Sequence, residues 1–121
     1  MENDTDVQLK PRTKKFGLRA IRLTEALPKT PTGQVIGRQL LRSALSVGAN
    51  YRAACRARSR ADFISKMGIV EEEIDESLYW MEMLAEAGVV KKERLAALMD
   101  EADQIAAMVV ASIKTARAKL R

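Results

Sequence analysis

The chain has 121 residues, enough for one domain with a core of its own and too few for two. Its 21 Lys and Arg outnumber 16 Asp and Glu for a formal charge of +5, with no histidine and one cysteine. Within one chain, those absences exclude a Ser-His-Asp triad, a His-bearing metal site, a zinc module of four Cys or of paired Cys and His, and a disulfide.

Apolar residues make up 47% of the chain but aromatic residues only 4%, and there are 3 Pro and 6 Gly. The weight lies in Ala, Leu, Ile, Val and Met, which is the composition of packed helices. Residues 1–12 are mostly polar, end near Pro11 and read as a disordered tail, leaving residues 13–121 as the folded domain. A first helix is expected from Thr13 to Leu27, where Phe16, Ala20, Leu23 and Leu27 recur at helical spacing. The stretch Leu27-Pro28-Lys29-Thr30-Pro31-Thr32-Gly33 stops it, because each proline forces extended backbone before it.

Thr32 is the expected N-cap of a second helix running from Gly33 to Ala57. On a wheel of 100° per residue from Arg38, Ile36, Leu40, Ala44, Val47, Tyr51 and Ala54 fall between about 160° and 240°, one apolar stripe. Ser59-Arg60-Ala61-Asp62 resembles a capping box with Asp in place of Glu. The third helix should therefore start after Ser59 and run to Ala87, with Phe63, Met67, Val70, Ile74, Met81 and Leu84 as its seam. Gly88 follows as a helix-ending C′ residue. A fourth helix spans Lys91 to Lys119 on Leu95, Leu98, Ala102, Ile105 and Val109. Four helices with short connections predict an all-α, antiparallel, up-down-up-down four-helix bundle. No run approaches the ~20 apolar residues of a membrane span, and no signal peptide is visible. A cytoplasmic protein with no membrane partner is expected, in keeping with the lone thiol.

The net charge conceals an asymmetry. Residues 1–66 carry 14 bases and 5 acids, whereas residues 67–121 carry 7 bases and 11 acids. The front half is thus +9 and the back half −4. On the second-helix wheel Arg38, Arg42, Arg52, Arg56 and Arg60 share an arc of about 80° opposite the apolar stripe, provided the helix stays continuous. Two readings of this face stand side by side. It is solvated or salted to acids of a neighbouring helix or subunit, or it meets the phosphates of RNA or DNA. Arginine suits planar, bidentate recognition of phosphate. Tyr51 lies on the core stripe and no aromatic side chain interleaves the arginines, so phosphate binding would be weakly sequence-selective.

The acidic run Glu71-Glu72-Glu73, Asp75-Glu76, Glu82 and Glu86 lacks the Glu-x-x-His motifs of a di-iron bundle. Most of these acids should be solvated. Glu73, near the edge of the apolar arc, is expected to pair with Arg52, Arg56 or Arg58. Cys55, on the flank of the core stripe, reads as a small buried thiol. Gly33-Gln34-Val35-Ile36-Gly37-Arg38 lacks the ending of a P-loop. No catalytic constellation and no cofactor are expected, and the chain reads as a non-enzyme.

The stretch Gln39-Leu40-Leu41-Arg42-Ser43-Ala44-Leu45-Ser46-Val47-Gly48-Ala49-Asn50-Tyr51-Arg52-Ala53-Ala54-Cys55-Arg56-Ala57-Arg58-Ser59 resembles the signature of a bacterial family called four helix bundle protein or 23S rRNA intervening-sequence protein. Asp62-Phe63-Ile64, Glu73, Glu76-Ser77-Leu78-Tyr79-Trp80, Leu84 and the earlier Leu27-Pro28 break extend the resemblance over residues 14–117. It implies a left-handed four-helix bundle, often assembled as a homopentamer. Founding members are encoded in sequences inserted within 23S rRNA genes. The similar accessory proteins of diversity-generating retroelements form basic pentamers that bind nucleic acid and a reverse transcriptase. The polar positions that the resemblance singles out are Arg42, Asn50, Arg52, Arg56, Glu73 and Glu76, as nucleic-acid contacts or as residues holding the assembly together.

Overall fold

Four α-helices account for most of residues 4–120, the part of the chain that the computed structural model describes. They are α1 (Asp4–Glu25), α2 (Pro31–Cys55), α3 (Arg60–Glu86) and α4 (Lys92–Lys119), with no strand among the described residues. α1 packs against α2 and α4, and α3 packs against α2 and α4, so the helices close a four-membered bundle around one core. Phe16, Leu40, Val47, Met67, Ile74 and Ile105 are among the side chains wholly withdrawn from solvent there. Each such burial contributes roughly 1.5–3 kcal/mol.

The connections explain the helix ends. Thr30, rather than Thr32, caps α2: its hydroxyl accepts the Gly33 N–H at 3.1 Å, and Pro31 occupies the first helical position. Proline is favoured there because its missing N–H would have no helical partner anyway. α2 ends at Cys55, two residues earlier than expected, with Arg56 as its C-cap. Ser59 caps α3 as its sequence indicated, accepting the Asp62 N–H at 3.0 Å. Gly88 takes the left-handed conformation (φ 74°) beyond Ala87. Val89 N–H bonds to Leu84 O and Gly88 N–H to Ala85 O, a Schellman closure of α3.

The expected disordered tail is the main departure. From Asp4 onward it is helix, and Pro11 lies inside α1; residues 1–3 fall outside the described residues. An interior proline removes a helical hydrogen bond and costs about 3 kcal/mol. Tertiary contacts offset that cost. Leu9, Thr13, Phe16 and Ala20 form one buried row, which carries the Phe16–Ala20 seam back past the proline. The buried Thr13 hydroxyl donates to the Leu9 carbonyl at 2.7 Å. Backbone meets backbone beside it, since a Cβ on Gly48 of α2 would lie 3.3 Å from the Thr13 carbonyl oxygen.

The first turns of α1 are held by a polar cluster. The Tyr51 hydroxyl donates to Asp6 Oδ1 at 2.6 Å, the Cys55 thiol reaches the same oxygen at 3.1 Å, and Lys10 Nζ lies 3.2 Å from Oδ2. Burial acts to raise the Asp6 pKa, but the bonds from Tyr51, Cys55 and Lys10 outweigh it and hold the carboxyl below the ordinary aspartate value. Tyr51 is pushed up, by burial first and then by its bond to Asp6. An acid with a depressed folded pKa adds stability above its unfolded value, near 3.9, and loses it as pH falls through the folded value. Tyr51→Phe should therefore lower the unfolding free energy by about 1–2 kcal/mol at neutral pH, and by less below about pH 3.5. Urea denaturation at the two pH values checks this; an equal loss at both would contradict a bond to the ionised carboxylate.

Candidate nucleic-acid interface

The arginines of α2 do not act as one row. Arg38, Arg42, Arg52 and Arg56 are all exposed, but Arg60 does not continue their face, because the break after Cys55 places it at the start of α3. Its guanidinium instead donates to the Lys119 carbonyl of α4 at 3.1 Å. Arg42 is salted to α3, 3.5 Å from Glu73 and in closer contact with Glu76. Glu76 also accepts the Trp80 indole N–H at 3.3 Å. Glu73 thus pairs with Arg42 and not with Arg52, Arg56 or Arg58. The reason is distance along the hairpin: Arg42 and Glu73 stand equally far from the 56–59 connection, whereas Arg52–Arg58 lie beside it, roughly 20 Å away along α3. Asn50 is tied to its own helix, its Nδ2 donating to the Ser46 carbonyl at 2.8 Å.

Arg52 and Arg56 line a groove of about 650 Å³ between α1 and α2, together with Lys10 and Lys14. Gly17, Gly48 and Ala49 supply small surfaces in it, and the exposed Leu18 and Leu45 line it as well. No carboxylate lines it. Among the described residues neither Arg52 nor Arg56 pairs with an acid, so both guanidinium groups keep their donors turned to solvent. Arg38 lies apart, in a shallower hollow toward the start of α2 that it shares with Glu25 and Lys29. Lys10 and Lys14 were not singled out from the sequence. The signal was there, in the Leu9-Thr13-Phe16 spacing that extends α1 backward and sets both lysines beside its buried row.

Asp6 holds Lys10 at one end of the groove, and Glu101 is engaged elsewhere. Glu101 of α4 receives two parallel bonds from Arg12, at 3.0 and 2.7 Å, and Arg12 also reaches Gln104 at 2.9 Å. The Arg12 hydrogen bonds hold the Glu101 carboxyl below its ordinary value against the opposing effect of burial. Glu71, Glu72, Asp75, Glu82 and Glu86 are exposed on α3. Among the described residues, no three His, Cys, Asp or Glu side chains stand close enough to hold a metal ion. No helix is long and apolar enough to cross a membrane.

Cys55 is exposed, not buried, because it lies on the last residue of α2, where the stripe has turned off the core. Partial burial and the neighbouring Asp6 raise its pKa, which keeps the thiol protonated at neutral pH and weakly nucleophilic.

The sequence profile of the 23S rRNA-intervening sequence proteins matches residues 5–111. The chain belongs to that family. This family member is also similar to a protein of unknown function from the S23 ribosomal protein family of Bacteroides thetaiotaomicron, known from a crystal structure. The two share 33% identity over 91% of this chain and 98% of the other, with a TM-score of 0.86. No curated protein matches this chain.

The two arginine–glutamate contacts of this intervening-sequence protein should differ in worth. Arg12 and Glu101 are 27% and 19% exposed, whereas Arg42 and Glu76 are 52% and 36% exposed. A double-mutant cycle on Arg12 and Glu101 should give a coupling of about 1–2 kcal/mol, and one on Arg42 and Glu76 below about 1 kcal/mol. Chemical denaturation of the single and double alanine variants measures both; the reverse order would contradict this ranking.

Proposed function

We propose that this chain is a non-enzymatic, cytoplasmic four-helix-bundle protein, up-down-up-down in topology and oligomeric, that holds RNA or DNA by its phosphates without strong sequence preference. The observation that carries this reading is the acid-free groove between α1 and α2 lined by Lys10, Lys14, Arg52 and Arg56. The acid-free guanidinium groups of Arg52 and Arg56 and the Lys14 ammonium, beside small side chains, admit a phosphate backbone closely, with Lys10 at the groove's edge bound to Asp6. Arg38 and Arg60 extend the positive field beyond either end of the groove, and Arg42 adds to it at lower effective charge because of Glu73 and Glu76. Tyr51 is the one aromatic side chain lining the groove, and its hydroxyl is held by Asp6, which fits backbone contact in place of base reading.

A second reading, that of a protein–protein scaffold with no nucleic-acid role, is favoured by a different surface. Val35, Ile69 and Tyr79 are each more than 40% exposed on α2 and α3, the two helices joined by the Arg42–Glu73–Glu76 contact. Exposed apolar residues around a charged network suit self-association, as the homopentamer of the family resemblance would require. A reverse transcriptase is a partner only where the gene accompanies a retroelement. Glu73→Ala should then shift the particle toward smaller species in light scattering, and a monomeric native protein at micromolar concentration would remove this reading.

The two readings combine if the ring sets several grooves side by side. Three cations that meet no acid, with Lys10 shared with Asp6, predict that log affinity falls with log salt at a slope of about −3 per occupied groove. Replacing Arg52 and Arg56 together by Ala should reduce that slope by about 1.5–2. Titration of labelled RNA at several salt concentrations measures both values. Binding that ignores salt, or a variant with the native slope, would overturn phosphate binding.

A further inference from the structure

The end of the bundle beyond the groove holds a second hollow, of about 620 Å³, to which all four helices contribute. Asp6 comes from α1, Tyr51 and Cys55 from α2, Phe63 from α3, and Ser112 and Thr115 from α4. Its volume lies within the ~300–1,000 Å³ of small-ligand sites. Lys10, Tyr51 and Cys55 line both this cavity and the α1–α2 groove, so the one runs into the other.

Two of its hydroxyl groups, both on α4, behave unlike those of the core. The buried hydroxyls of Thr13, Ser43 and Ser77 all donate to a carbonyl of their own helix. Those of Ser112 and Thr115 make no hydrogen bond among the described residues and stand available at the cavity wall. Phe63, half-buried, supplies an aromatic surface, and Arg60 and Lys119 make the rim cationic. Hydroxyls that both donate and accept, beside the rings of Phe63 and Tyr51 and a positive rim, match a nucleobase and its sugar-phosphate better than a hydrocarbon.

We infer that the cavity takes one unpaired nucleotide of a single strand whose neighbouring phosphates lie in the α1–α2 groove, which makes this protein selective for single-stranded over duplex nucleic acid. The inference rests on the phosphate-binding reading above. A duplex in the same groove can offer the cavity a base only by unpairing and unstacking it, a cost that a single strand does not bear. Adaptable hydroxyls and a ring face accept any base, so the selectivity is for strandedness and not for sequence.

Fluorescence anisotropy at low salt, with a labelled single-stranded oligonucleotide and a blunt hairpin duplex of equal phosphate count, tests it. The native protein should bind the single strand about 10-fold more tightly or better. Thr115→Leu, which fills the cavity, should bring the single strand to within about twofold of the duplex while leaving duplex affinity unchanged. Phe63→Leu should lower the preference in the same direction, and it serves if circular dichroism shows that Thr115→Leu does not fold. Equal affinities of the native protein for the two probes, or a preference that survives both folded variants, would overturn the cavity inference and leave phosphate binding standing. Binding of neither probe would remove both.

Discussion

The seating of α1 against its neighbours decides where the basic residues of this protein end up. An interior proline leaves the first half of α1 too weak to hold itself as a helix, so its position is set from outside. Two polar clamps and one close approach do this. Arg12 meets both oxygens of Glu101 on α4, and Tyr51 of α2 holds Asp6. Between them Gly48 lets α2 come within contact of the Thr13 carbonyl. A planar guanidinium paired two-fold with a carboxylate fixes one register and penalises its neighbours, which is the better-attested role of a partly buried ion pair. With α1 seated in that register, Lys10 and Lys14 face Arg52 and Arg56, and Asp6 closes one wall of the end cavity.

Net charge is a weak guide to such a molecule, and the placement of its counter-charges is a strong one. Of the bases in the first half of the chain, Lys10, Arg12, Arg42 and Lys66 are each paired with an acid. Of those that pair with no acid, Lys14, Arg52 and Arg56 gather along one groove. Solvated cations at a surface carry no desolvation penalty until a partner arrives, and a polyanion gains by releasing its own counterions there. The same division explains why α3, rich in acids, contributes carboxylates only to Arg42 within that groove's vicinity, and keeps most of them in water.

How much of this could be read from the chain alone follows the range of the forces involved. The seams of α2, α3 and α4, the Ser59 cap and the Gly88 stop depend on residues within a few positions of one another, and the buried Leu40, Val47, Tyr51, Ile74 and Leu84 lie where spacing put them. At the start of α1 the Leu9-Thr13-Phe16 spacing is outweighed by Pro11, since local propensity argues against a helix there and contacts with α2 and α4 hold it. The partner of Glu73 depends on where the α2–α3 connection falls; an end two residues earlier changes what Arg60 can reach. Cys55 escaped burial for the same reason, and Lys10 was hidden with the first turns of α1 that carry it. Strandedness and assembly lie beyond periodicity altogether, since they depend on surfaces formed by residues distant in sequence.

The central claim is that a tertiary-anchored α1 and the end of α2 together make the nucleic-acid surface. Amide hydrogen exchange, followed with and without a single-stranded oligonucleotide, tests it most directly. Exchange should be slow across residues 9–16 in the free protein, and slow further on binding at residues 10–14 and 52–56 but not along the acidic face of α3. Unfolded-like exchange of residues 9–16 in the free protein, or protection on binding confined to α3 and α4, would contradict it.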